Sequence, residues 1–291
     1  MKKLFLGLVV LSTMMLFSCN KEDNGIFSNE DEAIASNDAA AESAIESSDY
    51  EVDLFTGSEE SINGSSSLKS TDESLFGGRY HFGKTPLITI ETTDGGFPKT
   101  ITVNYGDGVE LTNGTTISGS IVIVVSAKPR SNGAVRTVTY NNFYIDSVNI
   151  AGNRTWTFSI SDQNGVVNTC VGEIVITFPD GTYINREIEK TRTFIAGFDT
   201  PIDFSDDIIH IEGFTNSVSS EGFTFSSTII EPLVRTGECR FIVQGIVSMS
   251  KNDAAFAELD YGDGTCDDVA TITKDGEVRQ ITLGKRHRIR N

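Results

Sequence analysis

The sequence predicts an all-β protein: an antiparallel β-sandwich or open barrel of about a dozen strands, preceded by a disordered tether. Three observations favour this fold class. From residue 76 onward, short runs alternate apolar and polar residues, which is typical of half-buried strands. Turn residues, notably Gly, Asn-Gly and Asp-Gly, separate these runs at short intervals. No stretch of this region has the apolar periodicity of a long amphipathic helix.

The strands can be placed in order along the chain. Residues 100–105 alternate regularly, and residues 121–125 are continuously apolar, as expected of a central strand. The same criteria predict further strands near 135–140, 143–150, 154–161, 170–178, 182–195, 208–216, 222–231, 239–249, 256–261, 268–273 and 277–283. The Asp180-Gly181 pair predicts a two-residue type I′ turn that places Phe178 opposite Tyr183.

The segment before the strands has a different composition. Residues 20–75 carry 15 acidic and 2 basic side chains and few large apolar ones. Such a segment buries too little apolar surface to offset its ordering entropy, so we predict a disordered acidic tether over 19–75 and an all-β domain over 76–291. Alanines between Glu30 and Ser48 permit transient helix, but no packing face is evident there.

The first residues are typical of an export signal. Lys2 and Lys3 precede an apolar run over 4–17, which is shorter than the roughly 20 residues needed to span a bilayer. The run ends in Leu16-Phe17-Ser18-Cys19, which resembles the lipobox of bacterial lipoproteins; an ordinary secretory signal is the alternative. The resemblance implies a signal peptide over 1–18 and lipidation of Cys19, whose acyl chains would bind the membrane.

The residues after Cys19 refine the expected location. Asn20-Lys21-Glu22-Asp23 resembles the surface-export tag of Bacteroidota lipoproteins. This resemblance implies a lipid anchor in the outer membrane, with the protein facing the cell surface. The formal net charge of −18 argues against nucleic acid as a partner, because its binders need basic patches to neutralise phosphates.

Three cysteines remain once Cys19 is set aside. A hairpin turn is expected within residues 251–254, and a loop at Asn252-Asp253 would place Cys239 opposite Cys266. We therefore predict a Cys239–Cys266 disulfide, with a bridge involving Cys170 as the alternative.

A Tyr-Gly-Asp-Gly sequence occurs twice, at 105–108 and 261–264. One interpretation is that two turns use the same favourable residues. The other is an ancient duplication, with lobes over 76–195 and 196–291. Asp107, Asp263 and Asp267 near these turns are candidate calcium ligands, although they lack the spacing of an EF-hand, and turn chemistry is the simpler explanation.

Other candidate sites are few. Trp156 and Tyr144 belong to an aromatic concentration that could form a glycan-stacking platform, whereas aromatic residues in strands more often pack in the core. The three histidines lack zinc-ligand spacing, and no Gly-x-Ser-x-Gly elbow is present. We therefore predict no catalytic residue, and whether the protein is an enzyme stays open.

Several segments resemble a group of uncharacterised Bacteroidota surface lipoproteins, and the likeness spans most of 98–283. It is carried by residues 101–108, 140–144, 190–194, 232–235 and 259–267. Val109 stands where that group often has a cysteine. The resemblance implies export and a β fold, but no activity.

These observations favour a surface-exposed binding or adhesion module for glycan or protein. Such a module would have an exposed aromatic or polar patch. One alternative is a hydrolase of extracellular polymer, which would need a cleft with converging ionisable groups. A structural component of the envelope is the other, and it would have a free sheet edge or a flat apolar patch.

Overall fold

The computed structural model describes residues 26–58, 80, 85–161, 165–200 and 203–284. In this part of the chain one α-helix precedes thirteen β-strands. The helix is α1 (Asn29–Gly57), and the strands are β1 (Leu87–Thr92), β2 (Lys99–Glu110), β3 (Thr116–Val125), β4 (Val135–Ile145), β5 (Val148–Ser161), β6 (Gly165–Thr177), β7 (Tyr183–Ala196), β8 (Ile208–Ser219), β9 (Thr224–Thr236), β10 (Gln244–Lys251), β11 (Ala254–Asp263), β12 (Val269–Lys274) and β13 (Glu277–Thr282).

All thirteen strands form one antiparallel sheet in which each strand pairs with its neighbours in sequence. The predicted all-β antiparallel fold is therefore confirmed, as one open sheet rather than two packed sheets. β7 and β8 pair along nearly their whole length, so the sheet is continuous across the boundary between the two predicted lobes. β1 and β13 are the first and last strands in the order and do not pair with each other.

The predicted strands between residues 135 and 161 differ from the observed ones. Three short strands were expected, but β4 and β5 are two long strands joined at Asp146 and Ser147. Both turn residues have positive φ, 47° and 70°, as a type I′ turn requires. Asn142 also has positive φ, but it lies at an irregularity within β4 rather than at a strand end. The sequence analysis also missed β1.

The 178–183 hairpin is shifted by one residue from the prediction. Thr177, not Phe178, pairs with Tyr183. The amide of Phe178 donates to the carbonyl of Thr182, which leaves a three-residue loop between them. Pro179 suits the second position of a type I turn, and Gly181 adopts the left-handed conformation (φ 86°) that completes such loops.

The predicted disordered tether does not describe residues 29–57, which form α1. Most of its side chains are buried, including alanines, isoleucines and six acidic residues. The prediction failed because it counted only apolar side chains as a packing face, whereas α1 is also buried through its carboxylates. In the described chain, no helix is both long and apolar enough to cross a membrane. Cys19, the predicted signal peptide over 1–18, and residues 20–25 and 59–75 of the predicted tether lie outside the described residues.

The start of α1 is stabilised by a capping box. The Ser28 hydroxyl accepts a hydrogen bond from the Asp31 amide at 3.1 Å, and the Asp31 carboxylate accepts one from the Ser28 amide at 3.2 Å. Glu30, Asp31 and Glu32 also place negative charge in the first turn, where it complements the helix dipole. This segment therefore has a defined local start signal.

The sheet curves around α1 and encloses it. Strands from both halves of the sheet bond to the helix, through Tyr105 of β2, Tyr140 of β4, Arg154 of β5, Arg186 of β7, Arg235 of β9, Lys274 of β12 and Arg279 of β13. Inward side chains of the strands join apolar helix residues such as Ile45, Val52 and Phe55 in one core. The alternating burial along each strand leaves the opposite face in solvent.

Candidate functional site

Charge is segregated between the two faces of strands β4–β9. All six of their lysine and arginine side chains are buried and face the interior: Arg136, Arg154, Arg186, Lys190, Arg192 and Arg235. All five of their acidic side chains are exposed on the outer face: Glu173, Glu187, Glu189, Glu212 and Glu231. The interior and the outer surface are therefore two chemically distinct candidate sites.

The interior cations pair with an acidic stripe on α1. The stripe comprises Asp38, Glu42, Glu46, Asp49 and Asp53, whose spacing of three or four residues places them on one side of the helix. The pairs are Asp38–Arg186, Glu42–Lys190, Glu46–Arg192 at 2.7 Å, Asp49–Arg192 at 2.6 Å, Asp49–Arg154 at 2.5 Å, Asp53–Arg136 at 2.9 Å and Asp53–Arg235 at 3.1 Å. Each buried charge thus has an opposite charge beside it, which burial requires.

The pKa values of the stripe reflect this pairing. Burial raises the pKa of Asp53, but the guanidinium groups of Arg136, Arg235 and Arg192 outweigh it and hold the pKa well below its ordinary value. Burial likewise opposes ionisation of Asp49, and Arg154 and Arg192 again lower its pKa. These two carboxylates are therefore held in their charged form by the guanidinium groups beside them, and the network is part of the core.

Trp156 lies inside this network and not on the surface. It is 1% exposed, and the guanidinium carbon of Arg192 lies 4.5 Å from the centre of its ring. Tyr144 is 40% exposed and lies at the other end of β4 from Arg136, which pairs with Trp156. The predicted Trp156–Tyr144 platform is therefore not formed, because inward and outward positions of a strand cannot share one surface.

A concavity on the outer face is called here the outer groove. Its volume is about 490 Å³, and it crosses β5, β6, β7 and β8 and reaches the start of β9. The outward side chains among its lining residues are Asn153, Glu173, Val175, Asn185, Glu187, Asn216, Val218 and Thr224. The sequence analysis named none of them.

Four side chains form a straight polar row across the floor of the outer groove. Asn153 pairs directly with Glu173, Glu173 with Glu187, and Glu187 with Asn216. Neighbouring strands lie about 4.8 Å apart, so the row presents a hydrogen-bonding group at each such interval. Carboxylates accept hydrogen bonds, while the amides at both ends can donate and accept them.

Exposed apolar side chains flank the polar row on both sides. In the adjacent row toward one strand end, Val171 (54% exposed) and Phe214 lie on either side of Glu189. In the row toward the other end, Val218 (44% exposed) lies beside Asn185. The polar row therefore lies between two mixed rows whose exposed apolar side chains are called here the apolar borders.

Two glycines help to bend the strands beneath the outer groove. At Gly152 (φ 108°) a Cβ would lie 2.3 Å from the Glu173 carbonyl oxygen, and at Gly213 (φ 121°) a Cβ would lie 2.2 Å from that of Glu189. Only glycine permits such a close approach of neighbouring backbones. These positions allow the local bending that accompanies a concave outer surface.

Two of the three aspartates predicted as calcium ligands accept hydrogen bonds within their own turns. Asp263 accepts hydrogen bonds from the amide (3.2 Å) and hydroxyl (2.8 Å) of Thr265, which lower its pKa. Asp267 accepts a bond from the Val269 amide at 2.9 Å, and Asp107 is exposed on β2. Within the described ranges, no three His, Cys, Asp or Glu residues are grouped to hold a metal. Calcium binding here stays a prediction.

The cysteine prediction is confirmed by a disulfide between Cys239 and Cys266, whose Cα atoms lie 5.6 Å apart. A cavity of about 100 Å³ next to Cys239 is also lined by Tyr50, Thr115 and Arg240. It is large enough for a few water molecules only.

Cys170 is buried, and burial raises the pKa of its thiol to about 11, so it stays protonated.

Asp207, which lies away from the outer groove, also has an altered pKa. Burial raises the pKa of Asp207 to about 7, and the charge of Arg130 only partly opposes the rise. Arg130 donates to the carbonyl of Phe198 and stacks near the ring of Phe194 (5.2 Å). The β3–β4 and β7–β8 loops are thereby joined at one end of the sheet.

No protein-family model matches the chain, and neither a curated protein nor a solved structure is similar to it. The outer groove was missed in the sequence because its four polar residues lie far apart in the chain. Only the strand register brings them into one row.

Proposed function

We propose that this chain is a lipid-anchored binding module of the outer membrane that holds an extended glycan in the outer groove at the cell surface. The observation that carries the proposal is the row Asn153–Glu173–Glu187–Asn216 between apolar borders. Its interval of about 4.8 Å is close to the length of one sugar ring, so successive sugars of a chain lying across the strands could each meet one polar group. The groove is open at the surface, as binding to a long polymer requires.

The geometry favours glycan over protein as the partner. Protein interfaces usually depend on large aromatic or arginine side chains that fill deep pockets. The outer groove has amides and carboxylates along its floor, and its apolar borders consist of two valines and Phe214 on an open surface. Sugars present hydroxyl groups to such a floor and their carbon–hydrogen faces to the borders.

A glycan array tests this proposal. The full chain carrying Cys19→Ala should bind selected glycans, and Asn153→Ala with Asn216→Ala should abolish that binding. Asn141→Ala, which alters an exposed amide on β4 outside the outer groove, is the matched control and should bind normally. Repeating the array with calcium and with a chelator tests the predicted metal dependence. A pattern unchanged by the double substitution would contradict the proposed site.

Membrane attachment is tested separately. The unaltered chain should sediment with the outer membrane, and Cys19→Ala should release it into the soluble fraction, because the acyl chains would provide the anchor. Retention of the Cys19→Ala chain in membranes would contradict the proposed lipidation.

One observation favours a hydrolase as the second candidate. Glu173 and Glu187 are directly opposed on antiparallel strands, where Cβ atoms lie about 5 Å apart. Retaining glycosidases use two carboxyl groups at about 5–5.5 Å. Both side chains are exposed in an open groove, however, whereas the general acid of such enzymes usually has its pKa raised by an apolar, buried environment. Release of reducing ends from a bound oligosaccharide, lost in Glu173→Gln, would establish this alternative.

A further inference from the structure

The outer face of β4–β9 has five exposed glutamates and no lysine or arginine. The glutamates are Glu173, Glu187, Glu189, Glu212 and Glu231, whereas every lysine and arginine of these strands is buried on the inner face, toward the acidic helix. Lys251 lies 5.4 Å over the ring of Phe223, beside Thr224 at the edge of the outer groove, but it is paired with Glu30. The charge of this face is therefore not neutralised within these strands.

Like charges are concentrated at the centre of the polar row. Glu173 lies directly opposite Glu187, and Glu189 is its diagonal neighbour on the same face. Directly opposed carboxylates repel each other and weaken a sheet, so this pair costs folding free energy. A cationic group placed between the carboxylates would relieve the repulsion and gain from both charges.

We infer that the glycan held in the outer groove carries free amino groups, and that an ammonium group binds between Glu173 and Glu187. This inference rests on the proposed glycan-binding function and specifies its ligand class. The amides of Asn153 and Asn216 on either side of the pair then bond to hydroxyl groups of the neighbouring sugars. The same face would repel an acidic glycan. A neutral glycan would not relieve the repulsion between the carboxylates of Glu173 and Glu187.

The apolar borders favour an aminated glycan over a purely cationic peptide as the ligand. Val171, Phe214 and Val218 are exposed beside the carboxylates, and sugar rings can cover them with their carbon–hydrogen faces. A flexible lysine-rich peptide has the charge but no rigid apolar face spaced to match the strands. Charge complementarity and the apolar borders therefore point together to an aminated sugar chain.

The experiment compares three probes by calorimetry with the full Cys19→Ala chain: a glucosamine tetramer, its fully N-acetylated counterpart and tetralysine. We expect the glucosamine tetramer to bind at least tenfold more tightly than the other two at a pH where its amines are protonated. Glu187→Gln should weaken that binding at least tenfold. Glu212→Gln, which removes an exposed charge on β8 outside the groove lining, should change it less than threefold.

Each other outcome has a distinct meaning. Equal binding of both tetramers, unaffected by Glu187→Gln, would overturn this inference and leave the proposed glycan function in place. Tetralysine binding as tightly as the glucosamine tetramer would overturn it in favour of non-specific charge attraction. Absence of binding to either tetramer, together with a silent glycan array, would overturn both this inference and the proposed function.

Discussion

Arg192 of β7 and Asp49 of α1 lie 2.6 Å apart in the interior, although 143 residues separate them in the sequence. The same guanidinium group also contacts both carboxylate oxygens of Glu46 at 2.7 Å and lies against the ring of Trp156. One side chain thus links the helix, the sheet and the buried aromatic residue. This position makes Arg192 the centre of the interior network.

Replacing Arg192 by alanine should lower the free energy of unfolding substantially. Arg192→Ala leaves Glu46 and Asp49 short of a buried partner, so we expect the free energy of unfolding to fall by about 3–5 kcal/mol. Arg279→Ala removes a more exposed pair with Glu32 and should cost less than about 1 kcal/mol. Urea denaturation of both variants measures the difference, and equal losses would show that burial of the network does not determine its importance.

A chain limited to residues 76–291 should not fold. Without α1, the six interior basic side chains lose their carboxylates and the apolar core loses its central element. We expect near-ultraviolet circular dichroism without native signal, whereas a chain beginning at Asn20, which keeps α1, should unfold cooperatively. Native signal from the shorter chain would mean that the sheet is stable by itself and that α1 is an accessory element.

Stability should decrease with rising pH because of Asp207. Its pKa is about 7 in the folded protein against 3.8 in the ordinary state, so the folded state binds more protons between these values. Stability contributed by this group is therefore present below about pH 4 and is lost as pH rises toward 7. Urea midpoints measured across this range should show the slope.

Two variants test whether Asp207 causes this pH dependence of stability. Asp207→Asn cannot titrate and should remove the slope, while Asp206→Asn changes the exposed neighbour that accepts a bond from Thr200 and should keep it. An unchanged slope in Asp207→Asn would assign the pH dependence to other groups.

Adding a side chain at Gly213, where β8 bends, should destabilise the folded protein. A Cβ there would lie 2.2 Å from the Glu189 carbonyl oxygen, a backbone atom that cannot move aside alone. Gly213→Ala should therefore cost clearly more than Gly181→Ala, a turn position with φ 86° and open space, where about 1 kcal/mol is expected. Urea denaturation compares them, and equal costs would show that β7 and β8 can separate without penalty.

Local sequence signals were sufficient for much of the sheet. The alternation of residues 100–105 and the apolar run 121–125 correspond to parts of β2 and β3. The turn at Asn252 and Asp253, both with positive φ, lies between paired Lys251 and Ala254 as predicted. Two irregularities in β10–β11 pairing shift the register away from the turn, so the predicted Cys239–Cys266 disulfide forms beyond the paired strands and not by direct opposition within them. These features depend on neighbours in sequence, and so composition and spacing reveal them.

α1 had a signal that was not recognised. The acidic residues at 38, 42, 46, 49 and 53 repeat with helical spacing, and on β7 the side chains of Arg186, Lys190 and Arg192 share a face with Ile184 and Ile188. Each pattern alone is typical of a solvated surface. They become complementary only when considered together as two faces of one interior.

The sequence by itself determined most of the strands and most of their turns, because these follow from local periodicity and turn chemistry. Only the tertiary structure decided which face of β4–β9 is interior, because that depends on α1 placing carboxylates against the sheet. The outer groove follows from the same choice. With the basic side chains drawn inward, Asn153, Glu173, Glu187 and Asn216 meet in one acidic row, through strand pairings that span 63 residues of sequence.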